Sequence, residues 1–242
     1  AIGFAYRFAC VTFALTFSDA HLCDKSNYLN HYYLVSLVAF LMVLLPLDRE
    51  ASLRVVLAPG ERRAEIRAWA LWVLRFQFGV VYVFGGIAKI GSDWLVYGEP
   101  LRIWLAANAE LPLVGRALVD PRAALVASWC GMLFDLSIVP LLSWRRTRRY
   151  AYVVLVVFHV STAVLFRIGM FPWIMIVSAT LFFDPSWPRA LLKRLRGRER
   201  LANMGVADRG ISQKTLVAGA LYAAVQLLMP LRSLIYPGNT LW

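Results

Sequence analysis

Between Tyr150 and Phe183 the sequence carries a single Asp, Glu, Lys or Arg, Arg167. A helix needs roughly 20 mostly apolar residues to cross about 30 Å of hydrocarbon, and this run is too long for one such helix. Gly169 and Pro172, in Ile168-Gly-Met-Phe-Pro-Trp173, are turn or kink signals, so the run divides into spans 150–167 and 170–187. Further apolar runs cover 1–20, 31–47, 67–90, 123–143 and 214–230. The expected fold is all-α, a polytopic membrane bundle of about seven spans. Composition agrees, because 60% of the 242 residues are hydrophobic and only 17% are charged, where a soluble domain has about a quarter charged. A disordered chain is excluded by 14 Phe, 10 Tyr and 9 Trp. Cys10, Cys23 and Cys130 share no metal-ligand spacing and cannot all pair, which excludes disulfide and zinc scaffolds.

The net charge of +12 suits either nucleic acid or a membrane surface. Placement decides. With these spans, segments 48–67, 144–149 and 188–214 share one side and hold 17 Lys and Arg, against 6 on the other side. The positive-inside rule puts the rich side in the cytoplasm. The basic stretch Arg189–Arg200 flanks spans and suits anionic headgroups. It has no aromatic interleaving and no nucleic-acid motif, so the expected partner is the lipid bilayer and not nucleic acid. No internal repeat supports a transporter. The opening residues already read as apolar helix and Tyr236–Trp242 reads as the middle of a loop, so a fragment of a longer protein is expected.

Three polar places interrupt this apolar chain. The first, Cys23-Asp-Lys-Ser-Asn-Tyr-Leu-Asn-His31, reads most simply as a solvated turn whose Asn30 caps the next helix. The second, Gly85-Gly-Ile-Ala-Lys-Ile-Gly-Ser-Asp-Trp94, puts Lys89 at the end of an otherwise uncharged span. A snorkelling lysine and a functional one are equally compatible with that position. Gly85, Gly86 and Gly91 permit close approach, Asp93 offers a charge partner and Trp94 an aromatic wall. An amine in such a dry place can act as a base. The third holds His159 and Arg167, two turns apart on one helix face, with Asp135 as a candidate partner. For His159, an interhelical hydrogen bond and a ligand role weigh alike. No zinc H-E-x-x-H, G-x-S-x-G, P-loop or dinucleotide fingerprint occurs, which excludes the commonest motif-bearing enzymes. No metal site is expected.

Four stretches together resemble a known family: Asp24–His31, Gly86–Trp94, His159–Trp173 and Pro230–Trp242. The chain resembles the transmembrane part of vitamin K-dependent γ-glutamyl carboxylase, and more broadly the bacterial horizontally transferred transmembrane domain proteins. The resemblance implies that Lys89 is the base that deprotonates vitamin K hydroquinone, or a menaquinol-like quinol. It implies that His31 and Asn30 are the Asn-His pair against that cofactor, and that His159 is a family histidine. In the family, oxygen attacks the hydroquinone anion, and the resulting base removes a γ-proton from a glutamate. The carbanion takes up carbon dioxide and the quinone epoxide is left. The resemblance also implies a Glu-containing peptide or protein as substrate. The β-rich substrate-recognition part that follows in the carboxylase has no counterpart in 1–242, and Tyr28 stands where the animal enzyme has Trp.

The expected catalytic residues are therefore Lys89 and His31, and the expected cofactor-binding residues Asn30, His159, Arg167 and Trp94. The expected location is a bacterial inner membrane, with the site toward the extracytoplasmic face. Competing readings are a hydroquinone-using peptide-modifying enzyme without carboxylation, and a non-catalytic quinone-binding scaffold.

Overall fold

The computed structural model describes residues 5–23, 30–45, 57, 65–112, 114–166, 168–196, 205–207 and 210–235. The described chain is helical almost throughout. In order it forms α1 (Tyr6–Cys23), α2 (Asn30–Leu44), α3 (Ala68–Ile87), α4 (Ser92–Leu95), α5 (Leu101–Ala106) and α6 (Gly115–Leu118). There follow α7 (Pro121–Ser143), α8 (Arg148–Leu165), α9 (Phe171–Ala179), α10 (Trp187–Arg196) and α11 (Gln213–Ile235). The departure from an all-α chain is one parallel ladder, β1 (Glu65–Arg67) with β2 (Gly205–Ala207), Ile66 opposite Val206. The two strands belong to basic segments 48–67 and 188–214, which the charge count groups on one side.

Each apolar run of the sequence holds a helix, but fewer are long enough to cross a membrane. Among the described residues, length and composition qualify four: Ala68–Ile87, Pro121–Ser143, Arg148–Leu165 and Gln213–Leu231. His31–Leu44 and Phe171–Phe182 are apolar but shorter. The count of about seven spans is not confirmed among the described residues, where an expected span and its helix need not end together. In the run 170–187, the helix and its closing 3-10 turn stop at Phe182, where Phe183 goes extended. Asp184 then binds its own turn through the backbone N–H and hydroxyl of Ser186.

The chain forms two compact units, residues 1–74 with 184–242, and residues 75–183. In the first, α1 packs on α2. Tyr6 OH donates to the Met42 carbonyl at 2.7 Å, and the rings of Phe17 and His21 each meet Tyr32 edge-on at 5.8 Å.

The second unit holds α3 from Arg75 onward and the elements from α4 to α9. Asp120 starts α7 by accepting the Arg122 N–H at 2.9 Å, ahead of Pro121 in the first turn. The buried face of α7 includes Ala124, Ser128, Gly131, Asp135, Ile138 and Leu142, in steps of three or four. On α8 the buried residues Ala151, Leu155 and His159 recur every four, while Val153, Val157, Val160 and Val164 are exposed. Both helices thus turn an ionisable residue inward and leave an apolar surface outside, as a lipid-facing helix requires. Helix α3 meets α7 through glycines. A Cβ on Gly79 would lie 3.5 Å from Val139, and one on Gly86 only 2.7 Å from Leu136. At Gly86 a side chain would force the helices or Leu136 to shift, whereas at Gly79 the contact is an ordinary one.

The short helices α4, α5 and α6 lie against α7. Leu101, Leu105 and Ala124 form their core, with Trp94, Leu118, Ala127, Leu165 and Phe166 around it. Trp129 Nε1 donates to the Leu95 carbonyl at 3.0 Å, and Asn108 Nδ2 to the Leu165 carbonyl at 2.9 Å. These bonds fix the segment after Lys89 on α7 and on the end of α8.

Candidate functional site

Helix α3 ends at Ile87, and the chain turns at Lys89 through N–H bonds from Lys89 to the Gly86 carbonyl and from Ile90 to that of Ile87. The lysine side chain folds back over this end. Nζ donates to the Gly85 carbonyl at 3.0 Å and to Asp135 Oδ2 on α7 at 2.6 Å. The Lys89 side chain is 22% exposed and that of Asp135 12%, so the pair is largely shielded from water. The indole of Trp94 lies 5.4 Å from Nζ. Three features that attract a cation therefore surround one ammonium: a carboxylate, the C-terminal carbonyls of a helix, and an aromatic face. The aromatic wall continues from Trp94 to Trp104, ring centres 6.5 Å apart, and from Trp104 to Phe166, 5.9 Å apart.

A second polar couple lies on the same packed faces. Tyr82 OH and His159 Nε2 are 2.8 Å apart, and His159 is only 2% exposed. Phe134, Phe158 and Phe171 ring the imidazole at centroid distances of 6.1, 5.4 and 6.0 Å. Its Nδ1 is buried and has no hydrogen-bonding partner among the described residues. Replacing Tyr82 by Phe strands Nε2 as well. The expected cost is about 1 kcal/mol of stability, read as a lower thermal midpoint in detergent.

Several expectations change here. The carboxylate beside Lys89 is Asp135 and not Asp93, which is exposed on α4. Asp135 is consequently not the partner of His159, a place taken by Tyr82. Gly86 does allow close approach, whereas a Cβ on Gly91 would meet nothing within 4 Å. Helix α8 ends at Leu165, and Arg167, expected on one face with His159, lies outside the described residues.

Lys89, Trp94 and His159 belong to the second unit, and the structure brings Lys89 and Trp94 together. His31 and Asn30 belong to the first unit, in the opening turn of α2. The His31 ring meets Tyr32 edge-on at 4.6 Å. The Asn30 side chain and the loop 24–29 lie outside the described residues. Sequence reasoning missed Tyr82 and Trp104. Tyr82 had a readable signal, since it lies seven residues before Lys89 within the expected span 67–90, a spacing that shares one face of a continuous helix.

Several long apolar helices mark a helical membrane protein, and two of them turn an ion pair and a tyrosine–histidine couple inward. No solved structure matches the chain. The family model described as the HTTM domain matches residues 1–187, and the chain belongs to that family. The HTTM domain is associated with the vitamin K-dependent carboxylase family.

Proposed function

We propose that the chain is a membrane enzyme of the carboxylase type that uses a reduced quinone, with Lys89 as the amine that takes a proton from the bound hydroquinone. The observation that carries this reading is the surround of Lys89 Nζ. A lysine in hydrocarbon is a poor proton acceptor, because its ammonium product has lost its water. Here Asp135, the Gly85 carbonyl and the Trp94 face supply fixed replacements for that water. A neutral amine has two N–H groups and one lone pair, and the described contacts use both N–H groups. The remaining position is where a substrate oxygen would give up its proton.

The residues also fit the shape of such a ligand. A flat ring with two oxygens needs aromatic walls and a small number of polar atoms. Trp94, Trp104 and Phe166 form such a wall, and the orphaned His159 Nδ1 is a polar atom awaiting a partner. In this reading Lys89 and His159 bind the polar edges and Trp94 the ring. The roles of His31, Asn30 and Arg167 rest on the resemblance. When bound, the reduced quinone supplies, with oxygen, the strong base needed for glutamate deprotonation and carbon dioxide uptake. The reading includes a bacterial inner membrane, a site toward the extracytoplasmic face and a Glu-containing peptide as acceptor. The epoxidation and carboxylation steps come from family membership and the resemblance.

One observation favours a second reading, a non-catalytic scaffold. Lys89 caps its own helix and pairs with Asp135, which is also what a structural strut does. The test uses purified protein in lipid with vitamin K hydroquinone, oxygen and a Glu-containing peptide, following epoxide and labelled carbon dioxide together. Lys89-dependent epoxide supports the enzyme, and label in the peptide identifies it as a carboxylase. Epoxide without label points to a sibling reaction. No epoxide from folded protein would sink the enzyme reading and leave the scaffold.

A further inference from the structure

We propose that Asp135 is the positioning residue of this site, holding Lys89 Nζ by a direct contact so that its one unspent position, the amine lone pair, is aimed away from α7. The proposal rests on the reading of Lys89 as the proton-accepting amine. Asp135 is the only acidic residue between Pro121 and Phe183, and it lies on the buried face of a helix whose other face is apolar. A carboxylate is costly there unless it has a task and a partner. Lys89 is the one side chain that the described residues place within hydrogen-bonding distance of Asp135 Oδ2.

The construction around the pair is specific. Lys89 lies beyond the end of α3, so the direction of its four-carbon chain depends on what holds Nζ. The Gly85 carbonyl and Asp135 Oδ2 do so from two sides, and the Trp94 ring covers a third. Gly86 makes the α7 contact possible, since a Cβ there would lie 3.2 Å from the Cβ of Asp135 as well as 2.7 Å from Leu136. The step starts from the neutral amine, whose two N–H groups point at the Gly85 carbonyl and Asp135. Its lone pair takes the quinol hydroxyl proton, so the N–H bond forms at Lys89 and the O–H electron pair stays on the substrate oxygen. The new ammonium then lies between the oxyanion it has produced and the Asp135 carboxylate. Asp135 touches no substrate. It acts through Lys89, by direction and by charge.

The test needs a readout independent of turnover. Amine-specific acylation, quantified at Lys89 by mass spectrometry in ligand-free protein in nanodiscs, reports how firmly the carboxylate holds the ammonium, since only the free amine reacts. Asp135→Asn is expected to raise the Lys89 labelling rate about tenfold or more, the effect of losing an opposite charge at this distance. Asp135→Glu should return it toward native. Epoxide formation in Asp135→Asn should fall at kcat, with KM for hydroquinone little changed and the thermal midpoint near that of the native protein. The double variant Lys89→Ala/Asp135→Asn should be no less active than Lys89→Ala alone. An unchanged labelling rate, or a loss of turnover that only tracks a loss of thermal stability, overturns the proposal. If native protein makes no epoxide, the functional reading fails, while the labelling comparison still reports whether Asp135 holds Lys89.

Discussion

Lys89→Ala is expected to reduce hydroquinone-dependent epoxide formation by about 10²–10⁴-fold, the contribution of a positioned base. The assay is quinone epoxide per folded molecule in lipid, with oxygen and hydroquinone in excess. The normalisation matters. From sequence alone the substitution looks harmless to folding, because a lysine at the end of a span can simply reach for water. The ion pair changes that expectation. Removing Lys89 leaves the Asp135 carboxylate, 12% exposed, without its counter-charge. Breaking a fully buried pair costs about 3–5 kcal/mol, and the partial exposure of Lys89 brings the expected cost to about 2 kcal/mol. Lys89→Gln separates the two effects. Its amide retains an N–H for Asp135 but has no lone pair that can take a proton at this step. It should recover most of the thermal stability and none of the turnover. Native-like turnover in folded Lys89→Gln would rule out the lysine as base.

How much of this was legible in the sequence depended on distance along the chain. Apolar runs are local, so every expected span found its helix. Span length is not local in the same way. The expected span 170–187 runs on through Asp184, Pro185 and Ser186, and there the extended backbone of Phe183 and the Asp184 turn end the helix. Near Lys89 the sequence offered Asp93, four residues on, and the fold chose Asp135, 46 residues away. The reason is geometric. Asp93 rides on the exposed side of α4, whereas Gly86 lets α7 come close enough to present its single acid. The pairing of Tyr82 with His159 was hidden for the same reason, since it depends on which face of α8 turns inward. Trp94 beside Lys89 was legible because both lie in one turn-forming segment. The basic segments carrying β1 and β2 were grouped by charge alone, and their hydrogen-bonded ladder is a contact that charge arithmetic has no means of seeing.

Gly86→Val is expected to be the most damaging glycine substitution where α3 meets α7, and the geometry says why. The Cβ would lie 2.7 Å from Cγ and Cδ2 of Leu136 and 3.2 Å from the Cβ of Asp135. The leucine tip can rotate away, but the Asp135 Cβ is fixed by the α7 backbone, so the two helices must separate. Overpacking of this kind costs about 1–3 kcal/mol. Separation also stretches the Lys89–Asp135 contact from its 2.6 Å. A misplacement of about 1 Å at a reacting group can lower the rate roughly 10²-fold. Both losses should appear together, in the thermal midpoint and in epoxide turnover. Gly79→Ala is the control on the same helix, because its Cβ meets Val139 at an ordinary 3.5 Å. It should leave both measurements near native, and the gain in helix propensity of alanine over glycine is up to about 1 kcal/mol. Equal damage from the two substitutions would show that α3 needs thinness along its whole α7 face. Damage confined to Gly86 assigns the constraint to the place where the ion pair is made.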